Sequence, residues 1–170
     1  MKKVLILGAD GFEDSELLVP MYRLKEAGHQ VVVAGPKTGP ITGKHGYSVT
    51  VDCTFGQVQA RDYDALVIPG GKAPETVRLS AAAVAAVKEI DAAGKPVAAI
   101  CHGAQVLISA GLVRGRKLTC YEGVRDDVIA AGGQYEDAEL VVDGNLITSR
   151  FPEDLPAFCR ELMRQFEEVG

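Results

Sequence analysis

Apolar residues fall in short runs separated by longer amphipathic stretches. Val4-Leu5-Ile6-Leu7, Val31-Val32-Val33-Ala34, Ala65-Leu66-Val67-Ile68 and Pro96-Val97-Ala98-Ala99-Ile100 are too short for buried helices, and each predicts a buried strand. Glu16 to Ala27, ended by Gly28, and the alanine-rich stretch Ala81 to Ala93, ended by Gly94, predict helices between them. Pro20 predicts a kink or an irregular first half in the first of these. Ile41 to Val51 alternates around Gly43 and Gly46 and predicts a hairpin at the edge of the sheet. Further on, His102 to Ala110 and Val124 to Ala131 predict helices, and Lys117 to Cys120 a short strand. Glu139 to Asp143 and Leu146 to Thr148 flank the turn Gly144-Asn145, and Asp154 to Val169 closes the pattern as a helix.

Strands alternating with helices imply an α/β fold with a mostly parallel sheet covered on both faces. No linker, repeat or low-complexity segment interrupts residues 1–170, and 47% hydrophobic content is enough for one substantial core, so a single domain is expected. Ligands of such sheets bind beyond the carboxyl ends of the strands. Three features fall there: Gly11-Phe12-Glu13 after the first strand, Gly70-Gly71 after the middle strand and Cys101-His102 after the next. They are expected to converge on one pocket.

Ala99-Ile100-Cys101-His102-Gly103 places a cysteine on a strand-to-helix turn. A side chain on such a turn sits in a strained conformation, and the small Ala99 and Gly103 let neighbouring backbone pass close by. The N–H groups of the following helix would point at the sulfur and favour thiolate. Nucleophilic or redox-sensitive chemistry follows; the alternative for any cysteine is a small buried apolar residue. Gly70, Gly71 and the N–H of His102 are candidate oxyanion donors, and a Pro-Gly-Gly turn also serves simple chain reversal.

A net charge of −5 with no Lys/Arg cluster argues against nucleic acid or an anionic membrane as partner and favours a small ligand. Met1-Lys2-Lys3 runs into an apolar stretch too short for a signal peptide, so the cytoplasm is the expected compartment. Cys53, Cys101, Cys120 and Cys159 are scattered without a C-x-x-C pair and read as reduced thiols. His29 and His45 lack partners at ligand spacing, so neither a metal nor any other cofactor is expected.

The motifs Gly11-Phe12-Glu13-Asp14-Ser15-Glu16, Ile41-Thr42-Gly43-Lys44-His45-Gly46, Asp64-Ala65-Leu66-Val67-Ile68-Pro69-Gly70-Gly71, Ala98-Ala99-Ile100-Cys101-His102-Gly103-Ala104-Gln105 and Thr148-Ser149-Arg150-Phe151-Pro152 occur in order across the chain. In them the chain resembles the intracellular protease I (PfpI-type) family, in the group that includes the Parkinson-linked deglycase and the class I glutamine amidotransferases. The resemblance implies a flavodoxin-like three-layer sandwich with a nucleophile elbow, a cytoplasmic stress-related protein and a homo-oligomer, either dimer or hexamer. It implies that Cys101 is the nucleophile and His102 its base, oriented by Glu75 of a neighbouring subunit, so that the site is shared between chains. It further implies that Glu13 is a protonated carboxyl donating to the cysteine sulfur, the alternative being a solvated loop carboxylate like Asp14 and Glu16. Tyr121 matches an aromatic lining the pocket, whereas Cys120 departs from the family pattern and reads as a buried small residue before a resolving cysteine.

Nothing after His102 is histidine, which removes the His-x-Glu pair that glutamine amide transfer requires. Three readings remain: a cysteine hydrolase of small reactive carbonyls or glycated proteins, a cysteine peptidase, and a non-enzymatic oxidative-stress sensor or holding chaperone.

Overall fold

Four apolar runs, three of them buried throughout, form the centre of a seven-stranded sheet in the computed structural model, which describes residues 1–169. In chain order the elements are β1 (Lys3–Leu7), α1 (Asp14–Glu26), β2 (Gln30–Gly35), β3 (Gly39–Thr42), β4 (Ser48–Val51) and β5 (Cys53–Thr54). There follow β6 (Ala65–Ile68), α2 (Ala73–Val77), α3 (Ala81–Ala92), β7 (Val97–Ile100), α4 (Ala104–Ser109) and β8 (Lys117–Leu118). The chain ends with α5 (Arg125–Ala130), β9 (Gln134–Tyr135), β10 (Val141–Asp143), β11 (Leu146–Ser149) and α6 (Leu155–Val169).

The sheet order is β10-β11-β7-β6-β1-β2-β5, parallel throughout except that β10 runs antiparallel to β11. From the neighbouring strands β1 and β6 the chain steps outward in opposite directions, through α1 to β2 and through α3 to β7. Right-handed crossovers place those two helices on opposite faces. Accordingly α1 packs on α6, and α4 on α2, α3 and α5. The carboxyl ends of β1 and β6 therefore flank the point where strand order reverses, and a crevice opens there.

Three local expectations need correction. Helix α1 starts at Asp14, two residues before the predicted start, and continues through the buried Pro20, which removes only the N–H that would pair with the Glu16 carbonyl. The β3–β4 hairpin forms its own two-stranded sheet instead of the edge of the main one. The free edge of β2 is already occupied, because β5 pairs with Ala34 and Gly35, and Asp52 bonds Val33 through both its N–H and its carboxylate. The predicted strand at Lys117 likewise pairs only with β9, in a separate parallel pair. Among the described residues no helix is long and apolar enough to cross a membrane.

Candidate active site

Cys101 follows β7 directly and has φ 62°, the only non-glycine residue in the left-handed region among those described. That region costs an L-residue roughly 1–2 kcal/mol. Two glycines make the turn possible. A Cβ at Gly103 would lie 2.5 Å from the Ile68 carbonyl oxygen, and one at Gly70 would lie 2.7 Å from the Cys101 Cβ. The N–H groups of His102 and Gly71 both donate toward the sulfur, and His102 Nδ1 lies 3.2 Å from Sγ.

The carboxyl beside the sulfur is that of Glu16, not Glu13. Glu16 has no exposed surface; its Oε1 accepts the Gly70 N–H at 2.9 Å. Its Oε2 is buried without a hydrogen-bond partner, and the side chain that the carboxyl interacts with is the Cys101 thiol. The early start of α1 is the reason. It puts Glu16 in the first turn on the buried face with Leu17, Pro20, Met21 and Leu24, and leaves Glu13 at the N-cap beside the pocket mouth. There Glu13 is an ionic partner: Lys44 Nζ is 2.8 Å from its Oε2 and His45 Nε2 is 3.3 Å from its Oε1.

Burial pushes the Glu16 carboxyl up to about 8, against the pull of the Gly70 N–H, so it is protonated at neutral pH. Burial and the facing Glu16 push the Cys101 thiol up to about 12, opposed by the His102 and Gly71 N–H groups and by Lys44. Burial thus opposes the thiolate expected from the helix N-terminus and a donating carboxyl, while the His102 and Gly71 N–H groups favour it. Burial, then Lys44, hold His102 below its ordinary value, with Glu75 pulling the other way, so its ring is a neutral acceptor at pH 7.

Cys101, His102, Glu13, Glu16, Gly71, Lys72, Glu75 and Tyr121 line one pocket of about 390 Å³, closed on another side by Lys44, Phe151 and Pro152. The convergence expected from three strand ends is thus observed. Tyr121 stacks on the His102 ring, centroids 4.8 Å apart and planes 22° from parallel, and this stack fixes the imidazole. Glu75 shares the pocket within the single chain but makes no hydrogen bond to His102 among the described residues. Gly70 is removed from the expected oxyanion donors, since its N–H is given to Glu16; Gly71 and His102 remain. Cys120 is buried and lines a separate pocket of about 210 Å³ behind Tyr121 and Phe151. A larger groove of about 560 Å³ between α1 and α6 has one thiol, Cys159, and no histidine in its lining.

Sequence reasoning missed Glu16 and Lys44. A helix drawn from Asp14 would have shown a carboxylate on the apolar face at i, i+1, i+4 and i+8 with Leu17, Pro20 and Leu24, a signal that was present. Lys44 reaches the pocket only because the hairpin folds over it, which no local pattern encodes.

A family model described as DJ-1/PfpI family matches residues 2–165. The chain belongs to the DJ-1/PfpI family. Over 162 residues, 95% of this chain and 98% of the relative, it is 57% identical to Deglycase PH1704 of Pyrococcus horikoshii. It is 45% identical over 166 residues, 96% of each, to Protein/nucleic acid deglycase 2 of Escherichia coli. Among solved structures it matches a two-domain Anabaena variabilis protein with DJ-1/ThiJ/PfpI-like and ferritin-like domains, with a TM-score of 0.97 and 43% identity. That match covers 98% of this chain and 48% of the two-domain protein, so this DJ-1/PfpI chain spans about half of it.

Proposed function

We propose that this chain is a cysteine hydrolase of small reactive carbonyl compounds and of the adducts they form on protein amines, a deglycase. The observation that carries the reading is the Glu16 carboxyl, shielded from solvent and facing a strained cysteine. Relatives named deglycases support it.

The geometry performs the chemistry in balanced steps. His102 Nδ1 takes the thiol proton, and the sulfur adds to the aldehyde carbon of a 2-oxoaldehyde. The carbonyl electrons move to oxygen, which takes the Glu16 proton, giving a hemithioacetal. Glu16, now a carboxylate, removes the hydrogen from that carbon as a proton. The electrons pass to the neighbouring ketone, whose oxygen is protonated by His102, and the resulting enediol collapses to a 2-hydroxy thioester as Glu16 returns its proton to the second carbon and takes up the hydroxyl proton of the first, which restores the neutral acid. Water cleaves the thioester, releasing a 2-hydroxy acid and the thiol. For an amine adduct, the sulfur displaces the amine, which leaves with the His102 proton, and the same hemithioacetal results.

Peptide cleavage is served less well. It needs a full oxyanion hole, and here the Gly70 N–H is committed to Glu16. Glu75 of a second copy, meeting His102 on its outer nitrogen, would fix the tautomer with Nδ1 as acceptor, and this reading includes such a shared homo-oligomeric site. The test compares methylglyoxal turnover with cleavage of an unstructured peptide in the wild type, Cys101→Ala and Glu16→Gln. Both variants are expected to lose methylglyoxal turnover. Undiminished turnover in Cys101→Ala rejects the hydrolase, and peptide cleavage alone surviving in the wild type transfers the assignment to a peptidase.

A further inference from the structure

The β3–β4 turn is fastened to the loop after β1 far more firmly than an exposed hairpin tip requires. Asp10 accepts the Thr42 N–H at 2.8 Å, and Gly11 donates to the Thr42 carbonyl at 2.8 Å. Lys44 N–H donates to the Phe12 carbonyl at 2.9 Å. The Asp14 carboxylate accepts the N–H groups of His45 at 3.0 Å and Tyr47 at 2.9 Å. Burial pushes that carboxyl up, the two N–H donations outweigh it, and the net is a carboxylate held below its ordinary value. A Cβ at Gly43 would collide with Asp14, so the turn and the carboxylate fit only with glycine there. Packing does not explain this fastening, because His45, Gly46 and Tyr47 are exposed. Of the turn's side chains only Lys44 lines the catalytic pocket, with its Nζ oriented by Glu13.

We propose that Lys44 is a positioning residue: the fastened hairpin holds its ammonium over the pocket as the counter-ion of the Cys101 sulfur. Burial opposes negative charge on that sulfur, and the mechanism needs the charge transiently. The titratable groups facing it are Glu13 and Glu16 from the β1–α1 segment, Lys72 and Glu75 from the β6–α2 segment, and His102 with Tyr121 beyond β7. Lys72 makes no hydrogen bond or ion pair toward the sulfur among the described residues, and its backbone bonds Gly11. The hydrogen bond from Lys44 to Glu13, against the opposing pull of burial, raises the ammonium, which keeps its charge throughout the working range.

The role rests on Cys101 being the reactive thiol of the proposed hydrolase, but its test needs no carbonyl substrate. The rate of Cys101 alkylation by the neutral reagent iodoacetamide is followed against pH by peptide mass spectrometry, in the wild type and in Lys44→Met, Lys44→Glu and Lys44→Arg. Removing the ammonium's charge is expected to raise the alkylation midpoint and so to slow alkylation severalfold at a fixed pH below it. Lys44→Glu is expected to raise it further and Lys44→Arg to return it to the wild-type position. Because half of the Lys44 side chain is exposed, the variants are expected to fold, which circular dichroism verifies. A midpoint unchanged in Lys44→Met, or shifts that do not follow the charge order Arg, Met, Glu, overturns the role. Loss of carbonyl turnover in none of the Cys101 and Glu16 variants would reject the hydrolase while leaving this result to stand or fall by itself.

Discussion

Replacing Glu16 by glutamine separates a buried neutral acid from a solvated carboxylate. The side chain has no exposed surface, so no screening discount applies, and its titration moves from 4.5 to about 8 on folding. Below 4.5 the group is protonated in both states and contributes no pH dependence. Between 4.5 and about 8 the folded chain holds a proton that the unfolded chain has released, so stability falls as pH rises. At ~1.4 kcal/mol per decade, the full fall across that window is about 5 kcal/mol. Glutamine keeps an oxygen for the Gly70 N–H and carries no charge at any pH. The variant is therefore expected to match the wild type at pH 4.5 and to become progressively more stable than it toward pH 8.5. Its hydrolytic activity is expected to be lost over the same range. Urea unfolding at a series of pH values, with midpoint and slope fitted separately, measures the difference. Parallel stability curves for the two proteins between pH 5 and 8.5 would refute a protonated Glu16.

Three further outcomes are expected. Gly70→Ala drives a Cβ to 2.5 Å from Glu16 Oε1 and 2.7 Å from the Cys101 Cβ, and is expected to destabilise by about 1–3 kcal/mol and to abolish activity, read by thermal unfolding and turnover. Limiting peroxide is expected to oxidise Cys101 before Cys120 and Cys159, and to halt at sulfinate in the wild type but not in Glu16→Gln, as peptide mass spectrometry will report. Reassembling inactive Cys101→Ala with inactive Glu75→Ala is expected to restore activity by uniting Cys101 with a neighbour's Glu75, and a mixture that stays inactive removes Glu75 from any role across an interface.

The parts of this fold written in local pattern were legible: β1, β6, β7 and the Cys101 elbow come from apolar runs and glycine punctuation. What escaped depended on tertiary placement. Glu13 and Glu16 differ in role because α1 begins at Asp14, and a shift of two residues in a helix start reassigns which carboxylate faces the sulfur. The hairpin was recognised, but its position over the site, and with it Lys44, follows from Asp52 and β5 occupying the edge of β2. The helix N-terminus that favours a Cys101 thiolate is visible in local pattern, while the burial that opposes it is set by the packing of the whole pocket.

Those tertiary features also bear on the two readings open to any cysteine, and they support the reactive one. A small buried apolar residue gains nothing from a left-handed backbone, from two N–H groups aimed at its sulfur or from a carboxyl driven into its pocket. Two of these work against stability: the φ of Cys101 strains the chain, and Glu16 hides an oxygen without a hydrogen-bond partner. Dispersed through the fold they would be unrelated defects. They fall together at the carboxyl ends of β1, β6 and β7, where the strand order reverses and a pocket opens. A carboxyl buried beside a thiol in that pocket faces a bound carbonyl and is shielded from bulk water, which is the condition that proton transfer in the proposed reaction requires.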